Sequence, residues 1–258
     1  MPRPNQILAQ YFTPKEVVDF GWDLLRQYGV EHIERCRIID PAAGSGNWLY
    51  PITRDCGKIN GDIHGIEIDS RWEGVGETRH VGDALRDKFL GVDDASFDIV
   101  VGNPPFGRLG ETSSNLSNRT RSKDWLHFDL LNCNLHSIDN CPIELLFLER
   151  ALQLVRLGGW IVQVLPDSLF SNFKLQPTRD WFLSRLQIHC IVNLPPTVFR
   201  HNGLSVRTNL LLATSKVKNK HIATSRTRLI APRNELSKNV VINNYFSNVI
   251  SRRTSKLN

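Results

Sequence analysis

The sequence has no apolar run long enough to cross a membrane. A spanning helix needs about 20 mostly apolar residues, whereas the hydrophobic residues of this chain, 41% of 258, are interrupted by charged ones. The first ten residues, MPRPNQILAQ, also lack the apolar core of a signal peptide. We therefore expect no membrane association and predict a cytoplasmic location.

Cysteine is scarce and odd in number. The five cysteines are scattered, which argues against a disulfide framework and favours a reducing compartment. Cys133 and Cys141 lie close in sequence to His127 and His136, so a zinc site is an alternative. Because this spacing matches no common zinc pattern, we predict that no metal is bound and that these side chains are buried or solvated.

Acidic residues are almost absent from the C-terminal stretch. Residues 216–258 hold ten Lys and Arg but one acid, Glu235, in a chain whose net charge is +6. Such a tail is typical of a solvated arm. A phosphate-binding surface and a partner-docking arm are the alternatives.

The apolar runs alternate with helical patterns, which predicts βαβ units and a mainly parallel sheet. The seven predicted strands cover residues 37–40, 63–69, 79–83, 97–103, 159–166, 188–195 and 207–215. A helix is predicted between the fourth and fifth strands, ended by Gly158 and Gly159. Another begins with Thr13 as its cap, Pro14 in the first helical position and Glu16 completing a capping box.

The stretch GNPPFG, residues 102–107, ends the fourth predicted strand and is followed by a polar loop at 108–123. Two consecutive prolines remove two backbone donors but keep two carbonyl acceptors, and each pushes the residue before it into an extended conformation. We call residues 102–107 the acceptor ledge. It suits a planar ligand that carries an NH2 group, although a purely structural turn is the alternative.

Polar residues end four successive predicted strands: Asp40, Glu67, Asp83 and Asn103. In a doubly wound sheet such residues line one crevice, where a carboxylate can accept hydrogen bonds from ribose hydroxyls or an amino group. Each acid alone also fits a helix cap. After Asp40 comes a glycine-rich turn, AAGSG, that lets a ligand approach the backbone. The absence of a lysine after these glycines speaks against a nucleoside triphosphate.

The order of these motifs resembles a known family. QYFTP, DPAAGSG, GIEID, GDAL and GNPPF occur in the order found in the gamma group of DNA N6-adenine methyltransferases. LFLERALQLVRLGGWIVQVLPDSLF and IVNLPPTVFRHNGLSVRTNLLL look like modification subunits of type I restriction systems. The resemblance covers roughly residues 9–214. It implies an α/β, Rossmann-like S-adenosylmethionine-dependent methyltransferase fold, with a mixed seven-stranded sheet and helices on both faces.

The resemblance also implies the roles of site residues. Glu67 would hold the ribose of S-adenosyl-L-methionine, Asp83 its adenine amino group, and Thr13 would sit by its methionine end. The cofactor turn would comprise Asp40, Pro41, Ala42, Gly44 and Gly46.

The catalytic residues implied by the resemblance are Asn103, Pro104, Pro105 and Phe106. The Asn103 oxygen and the Pro104 carbonyl would bond the amino group of a flipped-out adenine, on which Phe106 would stack. The expected function is site-specific DNA adenine-N6 methylation in a restriction-modification or related system. Methylation of an RNA base or a protein glutamine, or a non-catalytic cofactor-binding subunit, are the alternatives.

Two departures from the family pattern lead to further expectations. Only about ten residues separate GIEID from RHVGD, where relatives place a helix, so we expect Trp72 to pack over the adenine pocket. We predict a catalytic domain at residues 1–214 and a basic tail at 215–258 with no recognisable target-recognition domain. DNA is the expected partner, together with a separate specificity subunit. The alternatives are methylation with little selectivity and a remnant of a larger enzyme.

Overall fold

One nine-stranded sheet connects the described part of the protein. The computed structural model describes residues 12–55, 62–72, 78–107, 127–133, 135–137, 140–195, 198–199, 207–217, 228–232 and 240–243. The predicted polar loop at 108–123 lies outside these residues, as does much of the basic tail. The strands are β1 Ile38–Asp40, β2 Ile63–Glu67, β3 Thr78–Val81, β4 Phe97–Gly102, β5 Val155–Pro166, β6 Leu186–Asn193, β7 Thr208–Ser215, β8 Arg228–Pro232 and β9 Val240–Asn243.

The strand order places a ligand crevice between β1 and β4. The order across the sheet is β3-β2-β1-β4-β5-β7-β6-β8-β9. Strands β1 to β5 run parallel, and β7 is antiparallel to its neighbours β5 and β6. The chain moves outward from β1 to β3 and then returns to the other side of β1 as β4. Open α/β sheets bind their ligands at the carboxyl ends of the strands at such a reversal.

Helices cover both faces of this sheet, as predicted. They are α1 Lys15–Gln27, α2 Tyr50–Asp55, α3 Asp129–Asn132, α4 Ile143–Leu154, α5 Ser168–Ser171 and α6 Gln176–Arg185, with 3-10 turns at Ile33–Arg35 and Phe173–Leu175. Trp22 and Trp48 belong to the apolar core on the α1 face, and Phe128 and Leu146 to the core on the α4 face. In the described part of the chain, none of the helices combines the length and apolar character needed to cross a bilayer.

The seven predicted strands are confirmed, and two more extend the sheet. Strand β8 pairs in parallel with β6, and β9 pairs antiparallel with β8. Both lie within the stretch expected to be a solvated arm, so two segments of that stretch form sheet structure instead. The boundary at residue 214 between a catalytic domain and a tail remains a prediction.

The predicted helix stop at Gly158 and Gly159 is wrong. Helix α4 ends at Leu154 and β5 begins at the next residue, so both glycines lie inside the strand. Gly158 has φ 75°, and a Cβ at Gly159 would lie 2.9 Å from the backbone oxygen of Asp98. Gly159 is therefore needed for the close approach of β5 to β4, where the strand pairing is irregular, and Gly158 adopts a φ that favours glycine.

The predicted capping box at the start of α1 is also wrong. The cap position is Pro14, with no side-chain capping bond, and its carbonyl accepts the N–H groups of Val17 and Val18. Thr13 is buried one residue earlier, and its hydroxyl accepts a hydrogen bond from the Trp48 indole (3.2 Å). The tertiary contact has taken the place of the local cap.

A buried acid on α4 holds the start of α3. The Glu149 carboxylate accepts the N–H groups of Asp129 (2.5 Å) and Leu130 (3.2 Å), which are donors at the beginning of a helix. Burial raises the pKa of Glu149, and these two N–H groups oppose the rise. The contact joins two elements that are distant in sequence.

We expect Glu149→Ala to lower the free energy of unfolding by about 2 kcal/mol, because two buried N–H groups lose a charged acceptor. Urea denaturation at neutral pH measures the change. Glu31→Ala, at an exposed position, is the control and should change stability little. An unchanged stability in Glu149→Ala would show that the contact contributes nothing.

Candidate functional site

The carboxylate that ends β1 lies against the backbone that leads into the acceptor ledge. Asp40 is 1% exposed. Gly102, the last residue of β4, has φ 156°, and a Cβ at this position would lie 2.8 Å from Asp40 Oδ1. Any side chain at residue 102 would displace Asp40. The structure therefore brings together Asp40 and the start of the ledge, as the pattern of strand ends predicts.

The glycine-rich turn is tied to the neighbouring strand by Glu67. Gly44 and Gly46 have φ 53° and 80°, which glycine adopts without strain. Gly44 N–H donates to Glu67 Oε2 (2.8 Å), and Asp69 N–H donates to the other carboxylate oxygen (2.9 Å). Glu67 thus fixes the turn at the carboxyl edge of the sheet.

The two residues before the α1 cap, Phe12 and Thr13, reach the same turn. Asn47 donates its side-chain N–H to the Thr13 carbonyl (2.8 Å), and a Cβ at Gly44 would lie 3.4 Å from the Phe12 ring. Phe12 packs edge-on against Trp72, with ring centroids 4.8 Å apart. The ring contact seen for Trp72 is therefore with Phe12. That Trp72 packs over an adenine pocket stays a prediction.

Asp83 lies at the same edge of the sheet, after β3. Gly82 N–H donates to the Glu67 carbonyl (3.0 Å), which holds this segment beside β2. Asp83 is buried, and its Oδ1 accepts the N–H of Leu85 (3.1 Å). This bond closes a turn and does not cap a helix, because no helix directly follows Asp83 in the described chain. The cofactor role of the carboxylate remains a prediction.

The far end of the acceptor ledge is fixed to the start of α4. Pro104 is buried, and Phe106 packs at the edge of the α1-face core. Ile143 N–H donates to the Gly107 carbonyl (2.9 Å), and Gly107 N–H donates to Glu144 Oε2 (3.2 Å). The sequence-based reasoning missed Glu144. The available signal was an acid at the start of the helix, between the apolar residues Ile143 and Leu145.

The two buried acids at the ends of the ledge have perturbed pKa values. Burial raises the pKa of Asp40 to about 7, opposed by the Ala42 N–H that donates to Oδ1 and helped by the nearby Glu67 carboxylate. Burial likewise raises the pKa of Glu144 to about 7, opposed by its own backbone N–H and that of Gly107. Both acids therefore respond to small changes in local charge near neutral pH.

The residues considered for zinc do not form a metal site in the described part of the chain, where no group of three or more His, Cys, Asp or Glu side chains could hold an ion. His136 contacts the Thr178 hydroxyl (2.8 Å), and Cys141 is buried.

Comparison with known proteins identifies the family. The Eco57I restriction-modification methylase family matches residues 53–199, which is more than half of the chain. The chain belongs to this family. Over 182 residues it is 30% identical to the type II methyltransferase M.CvrRI of Paramecium bursaria Chlorella virus XZ-6E, covering 69% of this chain and 41% of that protein. The family assignment agrees with the resemblance in the motifs.

Solved structures show the fold of this family member. A class I S-adenosylmethionine-dependent methyltransferase structure from Listeria monocytogenes gives a TM-score of 0.61 at 15% identity, covering 95% of this chain and 70% of that one. The M protein of the type I restriction enzyme EcoKI gives 0.58 at 20% identity, covering 86% and 48%. The fold is that of the class I S-adenosylmethionine-dependent methyltransferases. The chain spans about two fifths of M.CvrRI and half of the EcoKI protein.

The residues present in this chain fit the cofactor implied by its family and fold, S-adenosyl-L-methionine. The turn at Gly44 carries no side chain at the point where it meets the Phe12 ring, and the N–H groups of a helix start lie just beyond it. A buried carboxylate, Asp40, stands beside the turn, suited to a ligand that carries positive charge. The residues that would hold the cofactor are Thr13, Asp40, Pro41, Ala42, Gly44, Gly46, Glu67 and Asp83.

We predict that Asp40→Asn is more stable than the wild type at pH 8, by up to a few kcal/mol (about 1.4 kcal/mol for each pKa unit), and that this gain is less than half as large at pH 5. Because the Asp40 pKa is raised from 3.8 to about 7, the native state holds a proton that the unfolded state releases within that range. Its stabilising contribution is thus present below pH 3.8 and is lost as the pH rises through 7.

Unfolding free energies measured in urea from pH 5 to pH 8 test this. Asp93→Asn, at an exposed acid, should give a difference from wild type that does not vary with pH. A flat difference for Asp40→Asn as well would mean that the buried carboxyl titrates normally.

Proposed function

We propose that this chain carries the catalytic part of a site-specific DNA adenine-N6 methyltransferase that acts in a restriction-modification or related system. The observation that supports this most is the contact of Asp40 with Gly102. It joins the glycine-rich cofactor turn after β1 to the acceptor ledge after β4. A donor bound at the turn and an amino group bound at the ledge would then be neighbours.

In this proposal the chain would hold the donor by groups from two strand ends and from the segment before α1. Glu67 accepts hydrogen bonds from the ribose hydroxyls, and Asp83 accepts one from the adenine amino group of the cofactor. Thr13, fixed by Trp48 and Asn47, lies beside the methionine end. S-adenosyl-L-methionine supplies a methyl group on a positively charged sulfur.

The acceptor ledge provides the chemistry on the substrate side. The amino nitrogen of adenine is a weak nucleophile because its lone pair is delocalised into the ring. The Asn103 side-chain oxygen and the Pro104 carbonyl accept its two hydrogens and stabilise the positive charge that develops during attack. Pro105 keeps the ledge stiff, and Phe106 stacks on a base that has left the duplex. Holding the amino nitrogen in line with the methyl group of the cofactor would then contribute much of the rate.

DNA is the proposed substrate, and a separate specificity subunit is a proposed partner. The similar proteins named above are a type II methyltransferase and the M protein of a type I restriction enzyme. The tail is rich in Lys and Arg, and such residues contact phosphates without reading sequence. Selectivity would therefore come from another protein or another part of a longer chain.

Expression in a host that lacks adenine methylation, followed by sequencing that detects N6-methyladenine, tests the proposal. Modified adenines in one sequence context are the expected result. The test is repeated with neighbouring genes present, so that a partner can supply selectivity. If methyl groups were found only on host RNA or on protein glutamine, the substrate would be RNA or protein and not DNA.

We predict that Asn103→Ala lowers the methylation rate by about a hundredfold or more, because one of two acceptors for the developing charge is lost. Cofactor affinity, measured by calorimetry, should stay close to that of the wild type. Asn47→Ala is a contrasting variant, because it removes the hydrogen bond to the Thr13 carbonyl on the cofactor side. It should weaken cofactor binding, unlike Asn103→Ala. Full activity of Asn103→Ala would exclude the ledge mechanism.

A further inference from the structure

The most exposed aromatic ring in the described part of the chain lies on the 3-10 turn after α5. Phe173 is 86% exposed, whereas Leu175 in the same turn is buried in the core on the α4 face. Single apolar side chains are common on protein surfaces and need no explanation by themselves. What this ring can do depends on the backbone that carries it, its place in the fold and the charges beside it.

The backbone that carries Phe173 is fixed by hydrogen bonds to Asn172. The Asn172 carbonyl accepts the N–H of Leu175 (3.1 Å) and a guanidinium N–H of Arg179 (2.7 Å). Its side-chain oxygen accepts the N–H of Lys174 (3.0 Å). These bonds hold the turn in place while the ring stays in solvent. A ring on an ordered backbone loses little conformational entropy when it binds, as preorganised contact residues do.

The turn lies at the edge of the sheet where the acceptor ledge begins. Strand β5 runs parallel to β4, so the segment that follows Pro166 leaves the sheet at the carboxyl edge, as the ledge does after β4. The start of α4 connects the two. Glu144 holds the end of the ledge at Gly107, and the next residue, Leu145, lines the same apolar cavity as Leu175. The exposed ring is therefore on the side of the molecule at which the proposed substrate binds.

Two exposed cations lie at the same edge. Lys174 directly follows the ring, and the carbonyl of Arg207 accepts the N–H of Asp167 (2.8 Å), the first residue after β5. The Asp167 carboxylate accepts hydrogen bonds from the Asn209 amide (3.1 Å) and the Ser171 hydroxyl (3.2 Å). A ring with cations beside it matches a polymer that presents flat bases and phosphates together. A purely apolar partner surface would leave the cations without a counter-charge.

We infer that Phe173 stacks on a DNA base next to the flipped adenine and that Lys174 and Arg207 contact the flanking phosphates, an inference that rests on the proposed function. In a closed duplex each base face is covered by its neighbour. Flipping the adenine uncovers the face of an adjacent base, which a phenyl ring can then cover. The ring stabilises the open duplex in this way, so its effect depends on flipping. The phosphate contacts add affinity without that dependence.

Phe173→Ala tests the stacking contact with a duplex that carries 2-aminopurine at the methylated position, because the fluorescence of this base rises when it leaves the stack. The duplex has the sequence context that the wild type methylates, and any partner subunit that the wild type needs is present. We expect DNA affinity to fall about tenfold and the fluorescence rise at saturating protein to be smaller. Phe173→Trp keeps a flat ring and should retain both properties. A mismatch opposite the 2-aminopurine, which makes the duplex easier to open, should restore the rise for Phe173→Ala.

Lys174→Ala separates the phosphate contact from stacking. The logarithm of its DNA affinity should fall less steeply with the logarithm of salt concentration, by a slope of about one, and its fluorescence rise at saturation should equal that of the wild type. Leu90→Ala and Lys88→Ala are the matched controls, at exposed positions. They lie beside Gly91, whose carbonyl accepts a hydrogen bond from Arg37 just before β1, and so at the amino edge of the sheet. Neither control should change DNA affinity or base flipping.

Cofactor affinity, measured by calorimetry, should be the same in all these variants and shows that each is folded. A wild-type fluorescence rise or wild-type DNA affinity in Phe173→Ala overturns the inference alone, even if that variant loses a protein partner, since the ring would then serve the protein contact. An equal loss of affinity in Leu90→Ala also overturns it. Wild-type protein that binds cofactor but neither flips nor methylates a base in DNA overturns the proposed function, and this inference with it.

Discussion

The contact between a buried carboxylate and a glycine backbone organises the site. Asp40 and Gly102 end adjacent parallel strands at the point where the strand order reverses, and their closest approach leaves no room for a Cβ at residue 102. The turn after β1 and the ledge after β4 therefore keep a fixed separation. Glu67 extends this arrangement to β2 by accepting two backbone N–H groups, one of them from the glycine-rich turn.

The same site contains two acids that are costly to bury. Burial raises the pKa values of both Asp40 and Glu144 to about 7. These two acids lie at the two ends of the acceptor ledge, and other buried polar residues, among them Glu149 and Arg150, lie elsewhere in the core. Buried acids with raised pKa values beside a ligand crevice are typical of sites where polar groups are arranged for a ligand.

The sequence predicted the seven central strands and the meeting of their polar ends, because period, strand-end residues and glycine turns are local properties. It was wrong where a long-range contact outweighed a local signal. Thr13 bonds to Trp48 and does not cap α1. Gly159 allows β5 to approach β4, and neither it nor Gly158 ends α4. Strands β8 and β9 lie within the stretch rich in Lys and Arg that was expected to be a solvated arm, so composition alone concealed them.

The sequence by itself determined the family, the seven central strands along the chain and the position of the ledge, since these follow from motifs and their order along the chain. Only the tertiary structure decided which groups support that ledge. Glu144 lies 37 residues beyond Gly107 in the chain, and no local pattern connects the two. Parallel strand pairing and the packing of α4 bring such distant residues to one edge of the sheet.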